Sequence, residues 1–155
     1  MDYNDCENHS RKYWLLRIAN FKNTNMVDCS TQIEFIDLAN DILFEGSVLE
    51  NPGGGSSRIE RINRERVTYR RENSFITVRW LYLYNAYKHF KGKLVSSTDL
   101  KKFAPAVFDS NARPAGHSCN CTFFFCIMIR VGLASGGLQG RGVSGSPFAL
   151  KLKDA

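Results

Sequence analysis

The residues best equipped for chemistry crowd into "GHSCNCTFFFCIMIRVG", Gly116 to Gly132, where His117, Cys119, Cys121 and Cys126 stand beside three consecutive phenylalanines. Imidazole and thiolate are the donors zinc prefers, and a thiol beside an imidazole is also a nucleophile beside its base. The spacing serves neither. Structural zinc pairs stand about two to four residues apart in a tight turn, with a second pair far downstream. On a helix Cys119 and Cys121 point about 200° apart; on a strand they share a face that Cys126 leaves. Nothing fixes a base beside a thiol, and no Asn or Asp partner is identifiable. No catalytic residue, metal ligand or cofactor is therefore assigned, and the cysteines read as small buried hydrophobes.

The element that carries them reads best as a helix. Ser118 or His117 caps it, Cys119, Phe123, Cys126, Ile127 and Arg130 run along one side, and Gly132 followed by Leu133 resembles a stop. Its start is polar, with His117, Ser118, Asn120 and Thr122 left on an otherwise apolar rod. A buried strand remains the competing reading, because "FFFCIMIRV" is rich in β-formers and apolar all round.

Upstream, the clearest interruption is "ENPGGGSS", Glu50 to Ser57, too rich in glycine and small polar residues for a regular element. The charge changes sign there. Residues 1 to 52 hold four Lys/Arg against nine Asp/Glu, a balance of −5, and residues 53 to 155 hold 17 against six, +11. The division that follows is a small acidic α/β segment over 1–50, a Gly/Pro-rich linker over 51–57, and a basic domain over 58–155. Within the first segment "KYWLLRIANF" suits a buried strand or short helix. "STQIEFIDLANDILFEG" reads as a helix capped by Ser30 or Thr31, with Glu34 three residues after Thr31, Ile36, Ala39 and Leu43 on one face, and Gly46 beyond its end.

The basic domain opens with "SRIERINRERVTYRRENSFITV". Its β-formers Val67, Tyr69, Phe75, Ile76 and Val78 flank a turn at Glu72-Asn73, which predicts a hairpin studded with arginines. Those arginines are phosphate contacts, with Arg61, Arg70 and Arg71 as candidates, or a solvated strand face kept from edge pairing by charge. From Arg79 the period is helical: Trp80, Leu83, Tyr84, Tyr87 and Phe90 form a stripe, and Gly92 stops it. Leu81 and Tyr82 fall off that stripe, which predicts self-association as a homodimer through Trp80, Leu81 and Tyr84. Next, Ser97 caps a helix with the stripe Leu100, Phe103, Ala104, Val107, which Pro105 kinks or splits. Leu138-Gln139 and Pro147 to Leu152 then read as two short strands joined by a glycine-laced tip around Arg141, with Phe148, Leu150 and Leu152 alternating.

At 43% apolar and 12% aromatic, 155 residues suit a folded α+β chain. The longest apolar run falls far short of the roughly 20 residues of a membrane span, and the polar, acidic start is unlike a signal peptide. An odd cysteine count without regular spacing points to reduced thiols in a cytoplasm. No HExxH, nucleotide loop or nucleophile elbow appears, and "NPGGGSS" lacks the lysine of a phosphate loop, so the chain does not read as an enzyme.

The element order from Phe75 to Lys153, hairpin, helix, short helix, loop, helix and β-wing, resembles the winged helix-turn-helix superfamily. Pro105 and the long connection "DSNARPAG" depart from its usual pattern. The resemblance implies a winged-helix-like C-terminal part beside a small α/β N-terminal part, and a regulator that binds duplex DNA in a sequence-dependent way. His117, Ser118, Asn120 and Thr122 would then face the major groove, with Arg141 on the backbone or minor groove. The same superfamily also supplies protein-docking modules, so a non-enzymatic interaction or oligomerisation domain is the alternative.

Overall fold

A computed structural model describes residues 29 to 154; the stretch "KYWLLRIANF" lies outside them. Helix α1, Gln32–Ile42, begins at Thr31, whose hydroxyl accepts from the Glu34 amide at 3.2 Å while the Glu34 carboxylate accepts from the Thr31 amide at 3.0 Å. This reciprocal cap is the one anticipated from the three-residue spacing. The helix turns Phe35, Ile36 and Ala39 inward, and the Phe35 ring packs among Trp80, Tyr84 and Tyr87.

Four strands follow, β1 Val48–Glu50, β2 Ser56–Ile62, β3 Arg66–Arg71 and β4 Ser74–Arg79, forming an antiparallel sheet in sequential order. The expected linker at 51–57 is instead the turn of the first hairpin, residues 51 to 55, followed by the first residues of β2: Val48 pairs with Arg58, Leu49 with Ser57 and Glu50 with Ser56. Gly54 and Gly55 take positive φ, and the Ser57 hydroxyl closes the turn on Asn51 Oδ1 at 2.8 Å. The composition that interrupts a regular element is also that of a tight turn, so sequence alone does not separate the two. Nor does the core divide there, because Phe35, Leu49, Ile59, Tyr69 and Leu150 belong to one continuous apolar cluster.

The hairpin around Glu72-Asn73 is present, with Arg71 opposite Ser74 and Glu72 at φ 53°. Strand β2 carries a bulge between Ile59 and Arg61, which accounts for its poor alternation.

After β4 come α2 Trp80–Phe90, β5 Leu94–Ser96, α3 Ser97–Phe103, α4 Pro105–Phe108, α5 Cys119–Arg130 and β6 Ala149–Lys151. Pro105 does split its helix: it occupies the first turn of α4, where its missing amide hydrogen costs nothing. The cap of α3 is Ser96, one residue before the expected Ser97, in a reciprocal cap with Asp99. Strand β5 pairs antiparallel with β6, and bridges from Ala134 to Leu152 and from Gln139 to Ala149 bring the glycine-laced segment alongside β6. Leu150 and Leu152 are buried there, as alternation required.

The apolar stretch at the end of the cysteine motif is helix, not strand, and α5 is the centre of the molecule. On one side its Phe123 stacks on Tyr69 of β3 with centroids 3.9 Å apart; on the other its Phe124 meets Phe108 of α4 edge to face. Helix and sheet therefore share one core. No helix among the described residues is long and apolar enough to cross a membrane.

Candidate nucleic-acid interface

The polar start of α5 does not face solvent as a groove-reading surface must. Asn120 is 3% exposed. Its amide nitrogen donates to the Val107 carbonyl at 2.9 Å and its oxygen accepts from the Tyr69 hydroxyl at 2.8 Å, so both ends of the side chain are used inside the protein. Thr122 is half-buried, donates to the Cys119 carbonyl at 3.1 Å and accepts from the Arg71 guanidinium at 3.2 Å. Ser118 stands at the cap position without capping: it accepts from the Ser110 amide at 3.1 Å, and its own amide donates to the Ser110 hydroxyl at 2.8 Å. Of the four, His117 alone is exposed. The groove-facing assignment of Asn120 is thus corrected: a short polar side chain on an apolar rod here satisfies buried partners on α4 and β3.

Two of the cysteines in the motif are equally occupied. Cys121 points its thiol at the Phe108 carbonyl at 3.5 Å, and Cys126 points at the Glu50 carbonyl at 3.4 Å, on opposite sides of the helix. Burial pushes the Cys121 thiol up to about 12 and raises Cys126 as well. Both therefore stay protonated near neutral pH, the wrong state for a nucleophile. Among the described residues no group of three or more His, Cys, Asp or Glu side chains is placed to hold a metal ion.

The proposed dimer surface also turns inward. Trp80 is 0% exposed and its indole N–H donates to the Asn63 carbonyl at 2.8 Å, while the buried Tyr84 donates through its hydroxyl to the Ser30 carbonyl at 3.0 Å. Helix α1 covers the stripe that was expected to meet a second chain. Leu81 is left half-buried.

The charge emerges on the outer face of the sheet. Strand alternation sends Ile59, Val67, Tyr69, Ile76 and Val78 into the core and Arg58, Arg66, Arg70, Phe75, Thr77 and Arg79 out. The bulge places Arg61 opposite Thr68, on the outward face too. One row across the sheet reads Val48, Arg58, Arg70, Phe75, and a second reads Arg61, Thr68, Thr77. Two glutamates each serve two arginines: Glu60 lies 3.0 Å from Arg70 and 4.0 Å from Arg58, and Glu65 lies 2.8 Å from Arg66 and 3.6 Å from Arg79. The guanidiniums are oriented and not all neutralised. Phe75 is 66% exposed and Val48 45% at opposite ends of the first row.

Of the arginines singled out from the sequence, Arg61 and Arg70 lie on this face, whereas Arg71 points inward to Thr122. Arg141 is exposed at the tip of the glycine-laced loop, where its amide and that of Gly142 donate to the Ser146 carbonyl. That loop folds over Phe148, whose ring also approaches Gly53 of the first hairpin. Arg58, Arg66, Arg79 and Phe75 were not selected. The signal for Phe75 and Arg79 was the phase of "SFITVR", in which Phe75 is out of step with Ile76 and Val78.

Comparison with protein-family models, with curated proteins and with solved structures finds no match.

Proposed function

We propose that this chain is a non-enzymatic nucleic-acid-binding module that meets its partner through the outer face of the sheet. The observation that carries the reading is the array Arg58, Arg61, Arg66, Arg70 and Arg79 on one exposed face, with Glu60 and Glu65 as its shared counterions. Fixed guanidiniums on an open surface suit phosphate, and neutralising several phosphates releases condensed counterions.

We read the half from α2 to β6 as winged-helix-like. The order α2, β5, α3 with α4, α5 and a returning β-hairpin, together with the β5–β6 pairing, supports that reading. In this reading the winged-helix half is a scaffold whose third helix is spent on the core, and Arg141 on the wing is a secondary cation. Cys119, Cys121 and Cys126 are free thiols, which supports a reducing, cytoplasmic setting.

The test is binding against salt. Affinity for a labelled oligonucleotide should fall steeply between about 50 and 200 mM salt, and Arg58→Ala with Arg70→Ala should flatten the slope. Absence of binding at the low end sinks the reading. A second reading, a protein-docking or self-association module, is favoured by Ile33 and Phe44, exposed at 64% and 65% on and just beyond α1. It predicts a partner whose affinity is nearly insensitive to salt.

A further inference from the structure

Resting on the nucleic-acid reading, the geometry points to a single-stranded ligand, with one base stacked on Phe75 and the neighbouring phosphates on Arg70 and Arg58. The inference rests on the shape of the face together with the position of the exposed Phe75 ring.

A B-form major groove is about 12 Å wide and admits a helix or a two-stranded ribbon. The basic row crosses all four strands, from Val48 on β1 to Phe75 on β4, and at an interstrand spacing of about 4.8 Å three gaps span roughly 14 Å before side chains are added. The face is too broad to enter a groove as a unit. A single strand has no such limit, because its bases can splay over an open sheet.

Phe75 stands directly across from Arg70, which stands across from Arg58. A large apolar ring held out in water beside guanidiniums is a stacking surface inside a phosphate-attracting field, the combination that binds single strands with little sequence preference. Glu60 braces Arg70 at 3.0 Å, so that guanidinium is held in place before the ligand arrives. Between the Arg70–Phe75 pair and the Arg66–Arg79 pair stand the short side chains Thr68 and Thr77, whose hydroxyls hydrogen-bond at 2.7 Å and leave the middle of the face low. Acidic groups are confined to the margins and the bulge: Glu50 at the end of β1, Glu72 in the turn, and the two shared glutamates. The charge on this face complements a polyanion and opposes a basic protein.

The experiment uses the full chain and a fluorescent mixed-sequence strand of about ten nucleotides, as DNA and as RNA, against the DNA duplex of the same sequence. The single strand should bind about tenfold more tightly than the duplex at low salt. Phe75→Ala should weaken single-strand binding about tenfold while leaving duplex binding nearly unchanged, and Phe75→Trp should restore it. The ring is exposed, so the thermal midpoint of both variants should match that of the parent. Duplex binding equal to or tighter than single-strand binding overturns the inference, as does an unchanged affinity in Phe75→Ala. Either result leaves the basic face as a nucleic-acid surface. Failure of every oligonucleotide to bind at low salt removes that reading and the inference together.

Discussion

The Tyr69 hydroxyl donates to the Asn120 side chain at 2.8 Å, and directly beneath this bond the Tyr69 ring stacks on Phe123 at 3.9 Å. Strand β3 and helix α5 are thereby joined by a polar contact and an aromatic contact through the same two elements. Stacking of this kind adds about 0.5–1.5 kcal/mol beyond the area buried, and a buried hydroxyl left without a partner costs about 1–3 kcal/mol.

From this pairing, Asn120→Ala and Tyr69→Phe should each destabilise the fold by about 1–3 kcal/mol, and the double variant by less than the sum. Urea unfolding of the four proteins measures the coupling. Asn120→Ala should not alter discrimination between nucleic-acid sequences in the folded protein. Strictly additive losses would mean that the two side chains do not depend on each other.

Cys121 should resist thiol reagents at about pH 8 in the folded protein and react once denaturant is added. Its thiol is 1% exposed and pushed up to about 12 by burial, so little thiolate forms and little reagent arrives. Mass spectrometry of labelled peptides gives the result directly. Rapid native labelling of Cys121 would show that α5 opens from α4.

The Asp99 carboxyl is held below its ordinary value of 3.8, chiefly by the Ser96 amide and then by the Ser96 hydroxyl, with burial opposing them. Because the folded value is the lower one, its contribution is complete above the unfolded value and is lost as pH falls through the folded one. Asp99→Ala should therefore cost about 0.5–1 kcal/mol at neutral pH, and the gap to the parent should narrow as the pH falls below the ordinary carboxylate range. Thermal midpoints across that range check it; a constant gap at all pH values would exclude the capping carboxylate as its source.

The glycine-laced loop beside β6 depends on a glycine that accepts neither a side chain nor a change of backbone. Gly140 has φ 86°, and a Cβ there would drive into the Pro147 carbonyl. Gly136 has φ 83° but open space around it. Gly140→Ala should cost more than the roughly 1–2 kcal/mol expected from the left-handed backbone alone at Gly136→Ala, and should speed proteolysis between residues 138 and 147. Equal costs would place the loop's stability elsewhere.

Much of the fold was legible because it is local. Thr31 and Glu34 announced the first cap, Glu72-Asn73 the hairpin, and the stripe from Trp80 to Phe90 its helix, since each signal lies within a few residues of the structure it specifies. Pro105 divided its helix for the same reason. The candidate interface was legible only as arginine density. Which arginines share a face depends on strand phase: the bulge at Glu60 shifts that phase within β2, so Arg61 joins Arg70 outside, and the alternation of β3 turns Arg71 inside.

The sequence by itself determined the first helix cap, the turn at Glu72-Asn73, the helix from Trp80 to Phe90 and the concentration of positive charge after residue 52, all of which follow from neighbours along the chain. Only the tertiary structure decided that the glycine run closes a hairpin within one core, that Trp80 and Tyr84 are covered by α1, and that Asn120 is spent on Tyr69 and Val107. A side chain's availability to a ligand is set by what packs against it, and Tyr69 lies 51 residues from Asn120 along the chain. Helical periodicity reports that a rod has an apolar side and a polar tip; whether solvent or a sheet lies over that tip is decided when the sheet docks.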